Sequence, residues 1–255
     1  QELEAACEVI MALDDAPEFC MTWPNHSWWV EQTMGQYGFN IANNNIGRDA
    51  RATELFLNSP EMVEYISWWA GMEDQGYYLY TGTQRDWGGV YNAFLAEQVA
   101  FLQYSSSDAV NLTVDAEEAG ITTVTSRHPY NGEREYVGNI IGGATLWLVN
   151  GLETEQEEGA LAFMNFMSNP ENAADWHQTT GYGAISNGAE TLLDEQGWYE
   201  EFPNAVVARE QLALAAENGG TPGPLVGNFV SIRDVVTQAV EDILVNDLDV
   251  QERLA

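Results

Sequence analysis

The sequence predicts an α/β fold, and three observations carry that expectation. Short apolar runs of β type alternate along the chain with runs of helical periodicity. Apolar residues make up 45% of the 255 residues, enough to bury a sizeable core in one large domain or two ordinary ones. No internal repeat or low-complexity tract breaks the alternation.

The chain opens inside an amphipathic helical pattern over 3–14, carried by Leu3, Ala6, Val9, Ile10 and Leu13, as a trimmed or partial protein would. A strand is predicted over Glu18 to Met21, followed by a loop that holds Trp23, Pro24, Asn25, Trp28 and Trp29. Helical patterns over 60–74 and 86–97 come next, then strands over Val99 to Tyr104, Ile121 to Thr125 and Thr145 to Val149. Four more helices are expected over 155–168, 170–180, 204–217 and 229–245. The helices from 60 and 170 open on the same punctuation, Ser59-Pro60-Glu61 and Asn169-Pro170-Glu171. Ser or Asn caps free N–H groups, Pro suits the first helical position, and Glu suits the positive end of the helix dipole.

The charge balance is extreme: 40 acidic residues against 8 basic ones, a net charge of −32, and every cation is Arg. That excludes a nucleic-acid binder working through a basic footprint and disfavours docking on an anionic membrane. Self-repulsion on this scale is relieved where molar salt shortens the screening length to about 3 Å, so the composition reads as adaptation to a salty solvent. No basic and apolar leader follows Gln1, and no apolar run approaches the length of a membrane span. Cys7 and Cys20 are too few for a metal site of their own; they either pair across the helix-to-strand step or stay as buried thiols. Two glycosylation sequons occur, at Asn25 and Asn111.

Catalysis has no positive signal. There is no nucleophile elbow, phosphate-binding loop, dinucleotide fingerprint, calcium loop or paired-cysteine motif, and His26, His128 and His177 are scattered. No cofactor and no metal is therefore expected. His177, near the end of its helix, has an ordinary role in meeting a backbone carbonyl. Carboxylates are abundant, but no pair stands out as in a glycoside hydrolase. Trp23, Trp28 and Trp29 follow a strand beside amide and hydroxyl groups, a composition that suits stacking on a sugar or polyol and equally suits a core.

Arg233 stands apart. Phe229, Val236, Val240 and Ile243 form the inward stripe of the last long helix, and Arg233 occupies a matching position near its start. An inward cation needs an anion, either an internal carboxylate or a bound anionic ligand that takes its bidentate fork. Two small-residue loops, Gly142-Gly143-Ala144-Thr145 and Thr180-Gly181-Tyr182, allow close approach of a ligand to the backbone.

Read together, Ile140-Ile141-Gly142-Gly143-Ala144-Thr145-Leu146-Trp147, the stretch Trp176-His177-Gln178-Thr179-Thr180-Gly181-Tyr182, and Gly227-Asn228 with Ile232-Arg233 form a family pattern. The chain resembles the extracytoplasmic solute-binding proteins of ABC importers that take up glycerol 3-phosphate. The likeness covers nearly the whole chain and corresponds to roughly the C-terminal two-thirds of such a protein. It implies a periplasmic-binding-protein-like (type II) fold of two α/β lobes closing on ligand, the first lobe only partly present. Residues 1–139 and 188–255 would form the second lobe, and residues 140–187 the returning part of the first. The resemblance assigns the phosphate to Arg233 and Tyr182, aided by the Gly143 N–H and a serine at Ser106 or Ser107, with Trp23 and Trp28 stacking on the glycerol.

It also implies a non-enzymatic, monomeric subunit outside the cytoplasm, periplasmic or a surface lipoprotein. Such a subunit delivers glycerol 3-phosphate or a glycerophosphodiester to ABC permease subunits. A sugar- or maltodextrin-binding protein of the same fold is the alternative, and a glycoside hydrolase the more distant one.

Overall fold

The structure, a computed structural model, describes residues 2–217 and 222–255. The chain divides into two compact units. One comprises Gln1–Tyr104, His128–Ile141 and Gln211–Ala255, and the other Ser105–Arg127 and Gly142–Glu210.

The first unit is built on a parallel sheet. Helix α1 (Glu2–Met11) leads into strand β1 (Phe19–Thr22), followed by helix α2 (Ser27–Gln36), the left-handed turn α3 (Asn43–Gly47) and helix α4 (Pro60–Asp74). Strand β2 (Tyr78–Leu79), helix α5 (Trp87–Leu95) and strand β3 (Val99–Leu102) complete its first segment. The strand order is β2-β1-β3, with Met21 facing Tyr78 on one side and Phe101 on the other. Central β1 reads Phe-Cys-Met-Thr because a strand covered on both faces has no alternation to show. Cys7 and Cys20 form a disulfide that ties α1 to β1, which settles the two alternatives left by the sequence. Closing a loop of this length stabilises a fold by about 3 kcal/mol on chain-entropy grounds.

The second unit is helical: α6 (Ala109–Glu118), α7 (Thr154–Ser168), α8 (Pro170–Thr180), α9 (Asn187–Glu195) and α10 (Trp198–Glu201), with the first residues of α11 (Val206–Glu217), which passes into the first unit at Gln211. The first unit continues with α12 (Phe229–Asn246) and α13 (Val250–Leu254). Val236, Val240 and Ile243 of α12 are buried in the core around β1, as the apolar stripe predicts.

Several expectations change. Ile121 to Thr125 and Thr145 to Val149 pair with no strand among the described residues; both are without regular secondary structure. A β-prone run becomes a strand only where a neighbour takes its backbone hydrogen bonds, and Thr145 to Val149 is exposed along its length, Trp147 at 84%. Trp28 and Trp29 lie in helix α2 rather than in a loop. That helix carries no apolar stripe because it is buried nearly all round, from Trp29 through Gln36. β2, α6 and α9, like the short α3, α10 and α13, have no clear signal in the sequence. Among the described residues, no helix is long and apolar enough to cross a membrane.

Candidate functional site

In the first unit the site is assembled at the start of α12. Asn228 takes a left-handed conformation just before the helix, and Arg233 follows one turn in. Its Nε and Nη2 donate to the two carboxylate oxygens of Glu31 at 2.8 and 2.6 Å. Glu31 stands on α2 with its side chain 6% exposed, and the Ser27 hydroxyl donates to the same carboxylate at 3.1 Å. The internal carboxylate that an inward arginine demands is therefore Glu31. The Arg233 side chain is 30% exposed. Its guanidinium carbon lies 4.4 Å from the centre of the Phe229 ring and 5.7 Å from that of Trp28. Two of the five guanidinium N–H groups go to Glu31, and Nη1 has no hydrogen-bond partner among the described residues. Cation, flanking rings and a free donor edge together suit an anion carried on an apolar or C–H-rich body.

Around this pair the loop after β1 is fixed to α12. Asn25 donates its amide to the Thr237 carbonyl at 3.2 Å, and the Ser27 N–H donates to the Thr237 hydroxyl at 3.1 Å. Asn25 is consequently buried, which closes its sequon to glycosylation in the folded chain, whereas Asn111 is exposed. His26 starts α2, its Nδ1 accepting from the Trp28 N–H at 2.9 Å. Burial, and then the nearby Arg85 and Arg233, push His26 down to about 4, so it is neutral at neutral pH. Arg85 pairs with Asp234 on α12.

Trp23 is placed differently from what stacking on a ligand would need. It is 1% exposed, and its ring packs against Trp69 at 5.2 Å and Tyr78 at 4.3 Å, with Trp68 stacked at 5.9 Å. Trp29 is buried as well, stacked on His128 at 5.7 Å. Burial also pushes His128 down to about 4. Of the three neighbouring tryptophans, Trp28 is the one that is partly exposed, and it is beside Arg233.

The second unit gathers the other expected residues at the end of α8. Gly181 ends that helix in the left-handed region, and a Cβ there would lie 1.8 Å from the Ser107 carbonyl oxygen. Only glycine permits that approach. Tyr182 follows, 43% exposed as a residue, and a Cβ on Gly143 would meet its ring at 3.6 Å. His177 Nδ1 donates to the Tyr182 carbonyl at 2.7 Å, the contact expected for this histidine, and holds the backbone under the phenol. The Ser107 hydroxyl is 2.9 Å from that of Ser105 and donates to the Asp108 carboxylate at 3.2 Å, while Ser106 is exposed. Glu31 is not singled out by the sequence, and Phe229, expected only as part of the apolar stripe, also lies against the guanidinium. The need of Arg233 for a counter-ion was the signal for Glu31, but nothing in the helix pattern pointed to which of 40 acids supplies it.

Comparison with known proteins gives a consistent picture. Residues 1–205 match the family described as bacterial extracellular solute-binding protein. The chain is 32% identical over 216 residues to the sn-glycerol-3-phosphate-binding periplasmic protein UgpB of Pectobacterium atrosepticum. That match covers 84% of this chain and 47% of the relative, so the chain spans about half the relative's length. Among solved structures, an ABC transporter solute-binding protein from Agrobacterium radiobacter K84 in complex with ribitol superimposes with a TM-score of 0.72 at 17% identity. The superposition covers 99% of this chain and 61% of that one. UgpB from Mycobacterium tuberculosis in complex with glycerophosphocholine gives a TM-score of 0.68 at 19% identity, covering 97% and 57%. The fold is that of the two-lobed solute-binding proteins, present here in part, and the chain belongs to the bacterial extracellular solute-binding protein family.

Proposed function

We propose that this chain is part of the extracytoplasmic binding subunit of an ABC importer that captures sn-glycerol 3-phosphate or a glycerophosphodiester and delivers it to the membrane permease. The observation that carries the proposal is the partly exposed Arg233 guanidinium, flanked by Trp28 and Phe229, in a chain 32% identical to a glycerol-3-phosphate-binding protein. In this reading Arg233 takes the phosphate and Trp28 lies against the glycerol C–H faces, while Trp23 serves the core beneath, packed on Trp68, Trp69 and Tyr78. Ser106 or Ser107, the Gly143 N–H and the Tyr182 phenol supply further polar contacts, and neither cofactor nor metal takes part. The subunit works as a monomer that carries out no chemistry on its ligand.

Arg233→Ala alone would strand Glu31, a buried carboxylate, without its partner and cost about 3–5 kcal/mol of stability. The cleaner test is the double variant Arg233→Gln with Glu31→Gln in the full-length protein, followed by calorimetry. Binding of glycerol 3-phosphate and of glycerophosphodiesters is expected to weaken by about a hundredfold or more, with the fold retained by circular dichroism. Unchanged affinity overturns the proposal. The second reading, a polyol- or sugar-binding subunit of the same fold, is favoured by the likeness to the ribitol complex. It requires that ribitol or maltodextrin compete for the site while glycerol 3-phosphate does not. A glycoside hydrolase would instead reveal itself by turnover of aryl glycosides, which this proposal expects to be absent.

A further inference from the structure

The Arg233 guanidinium does not stand as a bare positive charge. Glu31 covers its Nε and Nη2 edge with two hydrogen bonds, and the carboxylate is 6% exposed and held a third time by Ser27. It cannot swing aside for a ligand without abandoning all three bonds in a buried position. The neighbouring cation, Arg85, is likewise matched by Asp234, and His26 between them is neutral at neutral pH. The donor edge left at Nη1 therefore offers directional hydrogen bonds inside surroundings whose formal charges sum to zero. A single negative charge is compensated there by the N–H dipoles of that edge, while the Trp28 and Phe229 rings hold the guanidinium in place. A second negative charge meets the Glu31 carboxylate with no free cation to balance it.

We propose that Glu31 sets the charge class of the ligand: by occupying one edge of Arg233, it makes the site select a phosphodiester monoanion over a phosphomonoester dianion. The inference rests on the reading of Arg233 as the anion's partner and deepens it. Glu31 acts here as a positioning residue, since it touches the guanidinium rather than the ligand.

The test is calorimetry on the full-length protein at about pH 8, where a phosphomonoester is a dianion, at one fixed ionic strength. The probes are glycerol 3-phosphate and glycerophosphoglycerol, which share a glycerol body and differ in phosphate charge. The wild-type protein is expected to bind the diester more tightly. Because Coulomb energy is linear in ligand charge, Glu31→Gln should help the dianion more than the monoanion and move the affinity ratio by about tenfold toward glycerol 3-phosphate. Glu31→Asp, which keeps the charge, should leave the ratio where it was. A merely structural role would weaken both ligands alike, and that result overturns the inference, as does a wild-type preference for the dianion. Should Glu31→Gln fail to fold, the wild-type preference decides by itself. Failure of the wild-type protein to bind either phosphate would overturn the phosphate reading itself, a result distinct from binding with an unmoved ratio.

Discussion

Gly181 shows how far a single residue can be held by its surroundings. Its φ of +71° is costly for any residue with a Cβ, and the Ser107 carbonyl oxygen leaves that atom no room at 1.8 Å. Gly181→Ala is expected to lower the unfolding free energy by about 2–4 kcal/mol, read as a lower denaturant midpoint with unchanged slope. An unchanged midpoint would mean that the turn relaxes freely. At this scale the sequence was informative where a residue type has few uses: glycine at a helix end, or an arginine in an apolar stripe. It was silent about Glu31, because one buried carboxylate among 40 acids looks like all the others until the fold brings it to Arg233. It left Trp23 and Trp28 indistinguishable, since stacking on a ligand and filling a core demand the same side chain. Only burial tells them apart.

Helices with distinct ends and a single buried face were legible as elements. The starts at Pro60 and Pro170 fall where the punctuation puts them, and the caps are made. Ser59 Oγ accepts from the Met62 N–H at 3.3 Å, and Asn169 Oδ1 accepts from the N–H groups of Glu171 and Asn172 at 2.9 and 3.2 Å. Asn169→Ala removes two acceptor contacts at the start of the helix that ends in Gly181. The expected loss is about 1 kcal/mol of stability by chemical denaturation, whereas Asn169→Asp should keep most of it. An alanine variant as stable as the wild type would show that solvent replaces the cap without cost. Helix α2 was illegible for the opposite reason: periodicity exists only where one face meets water, and almost none of α2 does. The false strands at 121–125 and 145–149 failed because composition predicts an extended run but not the neighbour that turns it into a ladder.

Across the whole molecule the dominant quantity is charge. Among the described residues, the arginines at 85, 127, 134, 209, 233 and 253 are engaged with carboxylates, and with eight cations for 40 acids most of the acids have no cation to answer them. Screening by salt should therefore act on the fold more than any single ion pair does. Raising NaCl from about 0.1 to about 2 M is expected to raise the thermal midpoint by at least about 5 °C. A midpoint indifferent to salt would refute the link between composition and solvent. The α/β class was visible in the chain because it is written in local alternation. The division into interleaved segments is not written locally, because it depends on which distant segments pack together; the family resemblance, not the residue pattern, is what implies it, with bounds at 139 and 188 that differ from those of the two compact units.

The exposed run from Thr145 to Val149, with Leu161, Phe163 and Phe166 of α7 also turned to solvent, responds to the same salt in the opposite sense. Ions that quiet the acidic surface withdraw the electrostatic cushion that keeps copies of the chain apart, and salting-out ions strengthen apolar adhesion as well. Folding and colloidal dispersal thus place contrary demands on the brine. The isolated chain has a window of salinity in which it is both compact and dispersed, bounded below by its carboxylates and above by Trp147 and its apolar neighbours.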